Sequence, residues 1–170
     1  MSVESITLPN FTPEVHVNVG DAAVLQATGV LSSLGLGSCI ALVLYDRATR
    51  IGGLAHILLP HEALSRVPGK ASKYATTAVA YLLGQMREVG ALARPEARLV
   101  GGASMFANLL KGGGINMGER NVIATRRALA SASVPIIGEA VGGDFGRSVF
   151  LDIATGQLRV TSIQHAERLL

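Results

Sequence analysis

The segment Cys39-Ile-Ala-Leu-Val-Leu-Tyr45 is apolar at both of its alternating sets of positions. A strand with one wet face alternates apolar and polar residues, so a run like this has to be covered on both sides. It excludes a single exposed sheet and requires a strand held between two packed layers. The polar stretch Asp46-Arg-Ala-Thr-Arg50 reads as a turn. Ile51–Leu59 reads as the returning strand, stopped by Pro60, which has no N–H to give to a ladder.

The rest of the composition suits such a layered core. The chain has 170 residues, 49% of them hydrophobic and 16% charged, with a mean hydropathy of +0.41. One domain over residues 1–170 is expected, with its core at about 15–162 and short flexible termini. A net charge of only +3 with this apolar content excludes disorder. The longest clean apolar runs, Ile40–Tyr45 and Ile57–Leu59, fall far short of the ~20 residues that cross a bilayer, so no membrane insertion is expected. Residues 1–7 show no basic-then-apolar secretion signal. A lone cysteine excludes an internal disulfide and a multi-cysteine zinc site, and a reducing cytoplasm is the expected compartment.

The pI of 9.4 comes from scattered charge rather than from a patch. Twelve of the fifteen Lys and Arg residues are arginines, spread from Arg47 to Arg168, and the few aromatics do not interleave with them. Neither a basic stripe nor stacking platforms for nucleic acid are present.

Along the chain, Val15–Val19 and Ala22–Leu25 around the Gly20-Asp21 turn signal predict a short β-hairpin. His61–Ser72 reads as an exposed loop or flap. Tyr74, Ala78, Tyr81, Leu82, Gln85, Met86 and Val89 fall at helical spacing, with Gly90 as the stop. Arg98–Val100 is a short strand, and Ala103–Leu110 and Asn116–Ala132 read as helices on either side of Gly112–Gly114. Pro135–Ala140, Ser148–Ile153 and Leu158–Ser162 complete the strands. The fold class is α+β, a layered and largely antiparallel β-sandwich flanked by α-helices.

Hairpin geometry brings two reactive side chains together. If Arg47–Arg50 form a four-residue loop, Ala41 opposes His56 and Cys39 lies diagonal to His56 on the same face. A two-residue loop at Arg47-Ala48 puts Cys39 directly opposite His56 instead. Either even loop leaves them within roughly 5–8 Å of backbone, whereas an odd loop without a bulge sends them to opposite faces. An imidazole beside a thiol can take its proton and hold a thiolate–imidazolium pair. The thiolate attacks a carbonyl carbon and the imidazolium protonates a departing amine. The glycines at 35 and 37 and Ser38 let the backbone turn tightly, and Gly37 and Ser38 are the candidate oxyanion donors.

Other signals are weaker. Gly35-Leu-Gly37 lacks the third glycine of a dinucleotide loop, because Ile40 stands there. No Gly-Lys-Ser/Thr follows Gly101-Gly102 or Gly112–Gly114. His16, His61 and His165 have no metal-ligand spacing, so no metal is expected. Asn121 and Arg147 either line the site or brace it.

Several blocks, in order, carry a family resemblance: Ser33-Leu-Gly-Leu-Gly-Ser-Cys39, Gly53-Leu-Ala-His-Ile-Leu-Leu-Pro60, Lys73-Tyr-Ala-Thr-Thr77, Gly101-Gly-Ala-Ser-Met-Phe106, Gly118-Glu-Arg-Asn121 and Val141-Gly-Gly-Asp-Phe-Gly-Arg147. From about Val15 to Val160 the chain resembles the chemoreceptor glutamine deamidases (CheD). The resemblance implies a cysteine amidohydrolase that converts glutamines of methyl-accepting chemotaxis receptors to glutamate with release of ammonia. It implies the fold of toxin-like cysteine deamidases (CNF-like) and needs no cofactor. Its catalytic Cys and His fall on Cys39 and His56. Its third catalytic position, normally Thr, falls on Ser33, which keeps the hydroxyl and lacks the methyl. Asp144 stands where Asn is the expected residue. A CheC-type phosphatase is implied as a further partner. The competing expectations are a non-catalytic adaptor that binds receptors or such a phosphatase, and a cysteine amidase or esterase acting on small molecules or receptor methyl esters.

Overall fold

The apolar run of the sequence becomes β4 (Ile40–Asp46), buried at every position. It lies between β5 (Ile51–Ile57) and β6 (Glu96–Gly101), antiparallel to both. This computed structural model describes residues 12–92, 94–105 and 116–170. Two outer strands complete the central sheet. β2 (Ala22–Gln26) pairs antiparallel with β5, and β7 (Ile136–Val141) pairs parallel with β6, in the order β2-β5-β4-β6-β7.

A second sheet is made of β1 (Glu14–His16), β3 (Val30–Leu36), β8 (Arg147–Asp152), β9 (Leu158–Thr161) and β10 (Arg168–Leu169), in the order β1-β3-β8-β9-β10. Apart from the parallel β1–β3 pair, its pairings are antiparallel.

Side-chain alternation in the central strands sorts them into two cores. Ile40, Leu42 and Leu44 of β4, with Ala55 and Ile57 of β5, face the helices. Ala41 and Val43, with Leu54 of β5, face the second sheet and pack with Leu31, Leu36, Val149 and Leu151. The doubly apolar sequence is thus one strand serving two cores.

Both described helices cover the outer face of the central sheet. In α1 (Ala75–Glu88) the buried residues are Ala75, Ala78, Val79, Leu82, Leu83 and Met86, the i, i+3, i+4, i+7 stripe of a one-sided helix. α2 (Met117–Ser131) starts at Asn116, whose side-chain oxygen accepts the Glu119 N–H. The flanking helices therefore lie on one side only. The second sheet keeps one inner and one outer face, as the strict alternation of β8 shows.

Several expectations are corrected. Val15–Val19 and Ala22–Leu25 do not form a hairpin, because β1 joins β3 in one sheet and β2 joins β5 in the other. The turn at Gly20 is real, with φ of +80°, but it carries the chain across the sandwich. An isolated two-stranded hairpin is marginal in water, and each short strand finds a five-stranded sheet to join. The return strand ends at Ile57 rather than Leu59. Of the helix expected over Ala103–Leu110, residues 103–105 are not helical and the remainder lies outside the described residues.

Gly101 shows how tightly β6 ends. Its φ is +113°, and a Cβ there would sit 2.1 Å from the Cys39 carbonyl oxygen. Gly84, inside α1, has no atom beyond its chain neighbours and its own helix backbone within 4 Å of the point a Cβ would occupy. Gly101→Ala should therefore cost at least ~2 kcal/mol in urea denaturation, whereas Gly84→Ala should gain up to ~1 kcal/mol. Equal effects at the two positions would contradict this account of the end of β6.

Candidate active site

The register places Ala41 opposite His56, as a four-residue loop requires, and Asp46 opposite Ile51. Cys39 precedes β4, just outside its last ladder pair, and falls diagonal to His56, a placement that sets residues on adjacent antiparallel strands roughly 7–8 Å apart. Cys39 packs against the inter-sheet core and is half-buried. His56 is buried at 2% exposure. No hydrogen bond joins the thiol and the imidazole in this structure.

His56 is fixed by the opposite sheet. The Ser33 hydroxyl of β3 lies 2.7 Å from His56 Nδ1 and donates to the Val17 carbonyl at 2.9 Å. In the tautomer that satisfies both contacts, the hydroxyl proton goes to Val17 O and Nδ1–H donates to Ser33. The lone pair is left on Nε2, which is buried and unpartnered among the described residues. The peptide of His56 is clasped as well, since Gly20 N–H donates to its carbonyl at 2.8 Å and its N–H donates to Asp21 O at 3.0 Å. The crossing segment from Val17 to Asp21 thus straps the imidazole in place.

Ser33 follows Leu31 onto the inner face by ordinary alternation, and β3 is bulged just after it. Ser33 pairs with Val149, yet Leu36 pairs with Arg147, so one extra residue is held between them. Leu34 and Gly35 are pushed out to solvent, with Gly35 at φ +67°. Leu36 then returns to the inner face, and the chain reaches Cys39 beside the β6 end.

The carbonyls of residues 37–39 are all engaged. Gly37 O accepts from Ala103 N at 2.8 Å and Cys39 O from Gly102 N at 2.8 Å, while Ser38 O accepts from Asn121 Nδ2 at 2.9 Å. A trans peptide directs its N–H opposite to its carbonyl, so the N–H groups of Ser38 and Cys39 point away from these partners. Beside this loop, a groove of about 430 Å³ is lined by Gly35, Met105, Phe145, Gly146 and Ile163 among others.

Burial shifts both reactive groups toward their neutral forms. It pushes the Cys39 thiol up, with its own backbone N–H pulling the other way. It pushes His56 down, opposed by the Val17 carbonyl and reinforced by the nearby His16. The directions favour a neutral thiol beside a neutral imidazole at rest, in place of the thiolate–imidazolium pair expected from their proximity. Among the described residues, no group of three or more His, Cys, Asp and Glu could hold a metal.

The family model described as CheD chemotactic sensory transduction matches residues 58–162. Over 153 residues the chain is 41% identical to the "Probable chemoreceptor glutamine deamidase CheD" of Pyrococcus abyssi, covering 89% of this chain and 93% of that one. It is 38% identical over 154 residues to the "Chemoreceptor glutamine deamidase CheD" of Thermotoga maritima, covering 90% and 94%. The chain belongs to the CheD family. The family-model match begins after Cys39 and His56, whereas the relatives extend over most of the chain.

Sequence spacing pointed to Cys39 and His56, and the CheD resemblance pointed to Ser33; the structure puts Ser33 Oγ against the His56 ring. Neither pointed to the Val17–Asp21 strap. Arg147, left open as lining or bracing, does both: it lines the groove beside the Cys39 loop, its Nη1 donates to Gly142 O at 2.8 Å, and its guanidinium lies 4.0 Å from the Phe145 ring centroid. No helix among the described residues is long and apolar enough to cross a membrane.

Two measurements follow from the buried histidine. Ser33→Ala strands the Nδ1 proton and the Val17 carbonyl, and should cost about 1–3 kcal/mol in urea denaturation at pH 8. Because the folded pKa of His56 is lowered, the unfolded chain binds a proton that the folded chain refuses. Its contribution to stability is complete above the unfolded value of about 6.5. It falls away as pH drops from there through the folded pKa, and then levels off. A His56 ring resonance titrating above about 6.5 would contradict this.

Proposed function

We propose that this CheD-family chain is a protein-glutamine deamidase acting on methyl-accepting chemotaxis receptors, with Cys39 as nucleophile and His56 as general base and acid. The names of its relatives supply the substrate class. The observation that carries the chemistry is the hold on the His56 ring, with Ser33 Oγ 2.7 Å from Nδ1 and Nε2 left without a partner among the described residues. That ring lies on the face that also bears a half-buried thiol.

In the proposed reaction the thiol turns toward His56 as the glutamine carboxamide docks, closing the gap seen in the free site. His56 Nε2 takes the thiol proton while sulfur bonds to the amide carbon. The carbonyl π electrons move onto oxygen, where the N–H groups of Ser38 and Cys39 would stabilise the charge. Ser38 and Gly37 thereby share the oxyanion turn, Gly37 supplying the peptide that carries the Ser38 N–H. Collapse breaks the C–N bond, the Nε2 proton goes to nitrogen, and ammonia leaves a γ-glutamyl thioester. His56 then deprotonates water, hydroxide displaces sulfur, and the proton returns to the thiolate.

Throughout, Ser33 holds the ring and shares the positive charge that forms on it. Neither a metal nor an organic cofactor takes part. The layered two-sheet frame supports the CNF-like reading of the fold. The setting proposed is the cytoplasm, where a CheC-type phosphatase is the second proposed partner.

The test incubates the chain with a receptor cytoplasmic fragment and follows ammonia release and the masses of its peptides. The wild type should convert glutamine to glutamate, while Cys39→Ala and His56→Ala should each lose at least ~10³-fold in kcat. Binding without conversion by the wild type would favour the adaptor and overturn the proposal. Conversion retained by Cys39→Ala would remove the thiol from the reaction. Turnover of free amides or receptor methyl esters in place of protein glutamine would assign a different substrate class.

A further inference from the structure

Behind the reactive face lies a group that the proposed chemistry does not touch. Asn121 of α2 is fully buried, at 0% exposure. Its Nδ2 donates to Ser38 O at 2.9 Å and to Leu58 O at 3.0 Å. These two carbonyls stand where the β4–β5 ladder stops, since its last pair is Ile40 with Ile57. One peptide leads into Cys39 and the other lies just beyond His56. The side-chain amide therefore continues the register by one step after backbone pairing has ended.

We infer that Asn121 is a positioning residue of the deamidation site, holding the Ser38–Cys39 peptide so that the Cys39 N–H faces the developing oxyanion. The inference deepens the proposed function and rests on it. Three observations combine. The Ser38 carbonyl is drawn toward α2, on the helix-covered side of the central sheet. Peptide planarity then turns the Cys39 N–H to the other side. Cys39 itself packs on that other side, against the inter-sheet core.

The residue type fits the task. Two carbonyls need two protons from one small group, and a carboxamide has two N–H bonds without a charge. A lysine or arginine would bury a cation beneath the sheet, while Ser or Thr has one proton to give. The arrangement has a cost, because Asn121 Oδ1 is buried and finds no partner among the described residues. A side chain kept for packing alone would be better apolar.

The experiment uses Asn121→Asp, close in shape but with at most one proton to donate, and Asn121→Ala. Ammonia release from the receptor fragment should show kcat falling about 10²-fold with KM within about threefold. As Cys39 is the chain's one cysteine, iodoacetamide reads its thiol alone. The pH profile of alkylation should move up by about half a unit, because the N–H no longer favours the thiolate. Folded variants with kcat within twofold of wild type and an unmoved alkylation profile would overturn the inference.

Should wild type release no ammonia, the deamidase reading fails by itself and the alkylation profiles still decide the role of Asn121. Should neither variant fold, the wild-type chain decides. The Asn121 side-chain amide protons should exchange with deuterium as slowly as those of the β4 backbone, and exchange within minutes would overturn the inference.

Discussion

One hydrogen bond crosses the interior of the sandwich and fixes how the two sheets meet. The Ser33 hydroxyl belongs to the outer sheet and the His56 imidazole to the central one, 2.7 Å apart and both fully enclosed. Polar groups inside an apolar layer are tolerated only where each finds a partner, and breaking one bond exposes two unmet demands. Sliding the sheets by one residue would face His56 with Leu34 or Ser32 in place of Ser33. The placement of β3 and the β4–β5 register are therefore tied together by this contact. The Val17 carbonyl completes it and anchors the strand that crosses between the sheets.

The same enclosure governs the electrostatics. Desolvation raises the thiol and lowers the imidazole, so burial disfavours the charged form of both. A permanently ionised cysteine on the surface would react with any electrophile or oxidant, since the thiolate is the reactive form. In the proposed reaction, ionisation is deferred to the step in which a bound carbonyl can share the charge. Ser33 suits that scheme: it accepts a hydrogen bond from Nδ1–H and strengthens that bond as the ring becomes cationic.

What could be read from sequence follows from what side-chain type encodes. The all-apolar β4 implied two covering layers, and both are present. The polar turn at 47–50 set the register that places Cys39 and His56 on one face. Ser33 could not be found by counting, because the bulge at Leu34–Gly35 breaks the alternation and makes a strand look like a glycine-rich loop. The false hairpin at 15–25 has a related cause: a turn signal records a change of direction but not the sheet that receives the next strand. Asn121 lay beyond reach for another reason. Its partners are backbone carbonyls 83 and 63 residues away, and a carbonyl has no residue-type signature.

The unpartnered nitrogen of His56 is consistent with the role proposed for it. A core histidine kept for stability would have both ring nitrogens engaged, since either one left bare inside a protein is costly. His56 has one nitrogen held by a three-member chain and the other without a partner among the described residues, although a strand crossing goes into placing it. Nearby, the N–H groups of Ser38 and Cys39 are turned away from the carbonyl partners that anchor their peptides. An acceptor lone pair, a thiol and outward N–H groups are complementary to a primary carboxamide passing through its tetrahedral stage, which offers an electrophilic carbon, a negative oxygen and a nitrogen in need of a proton.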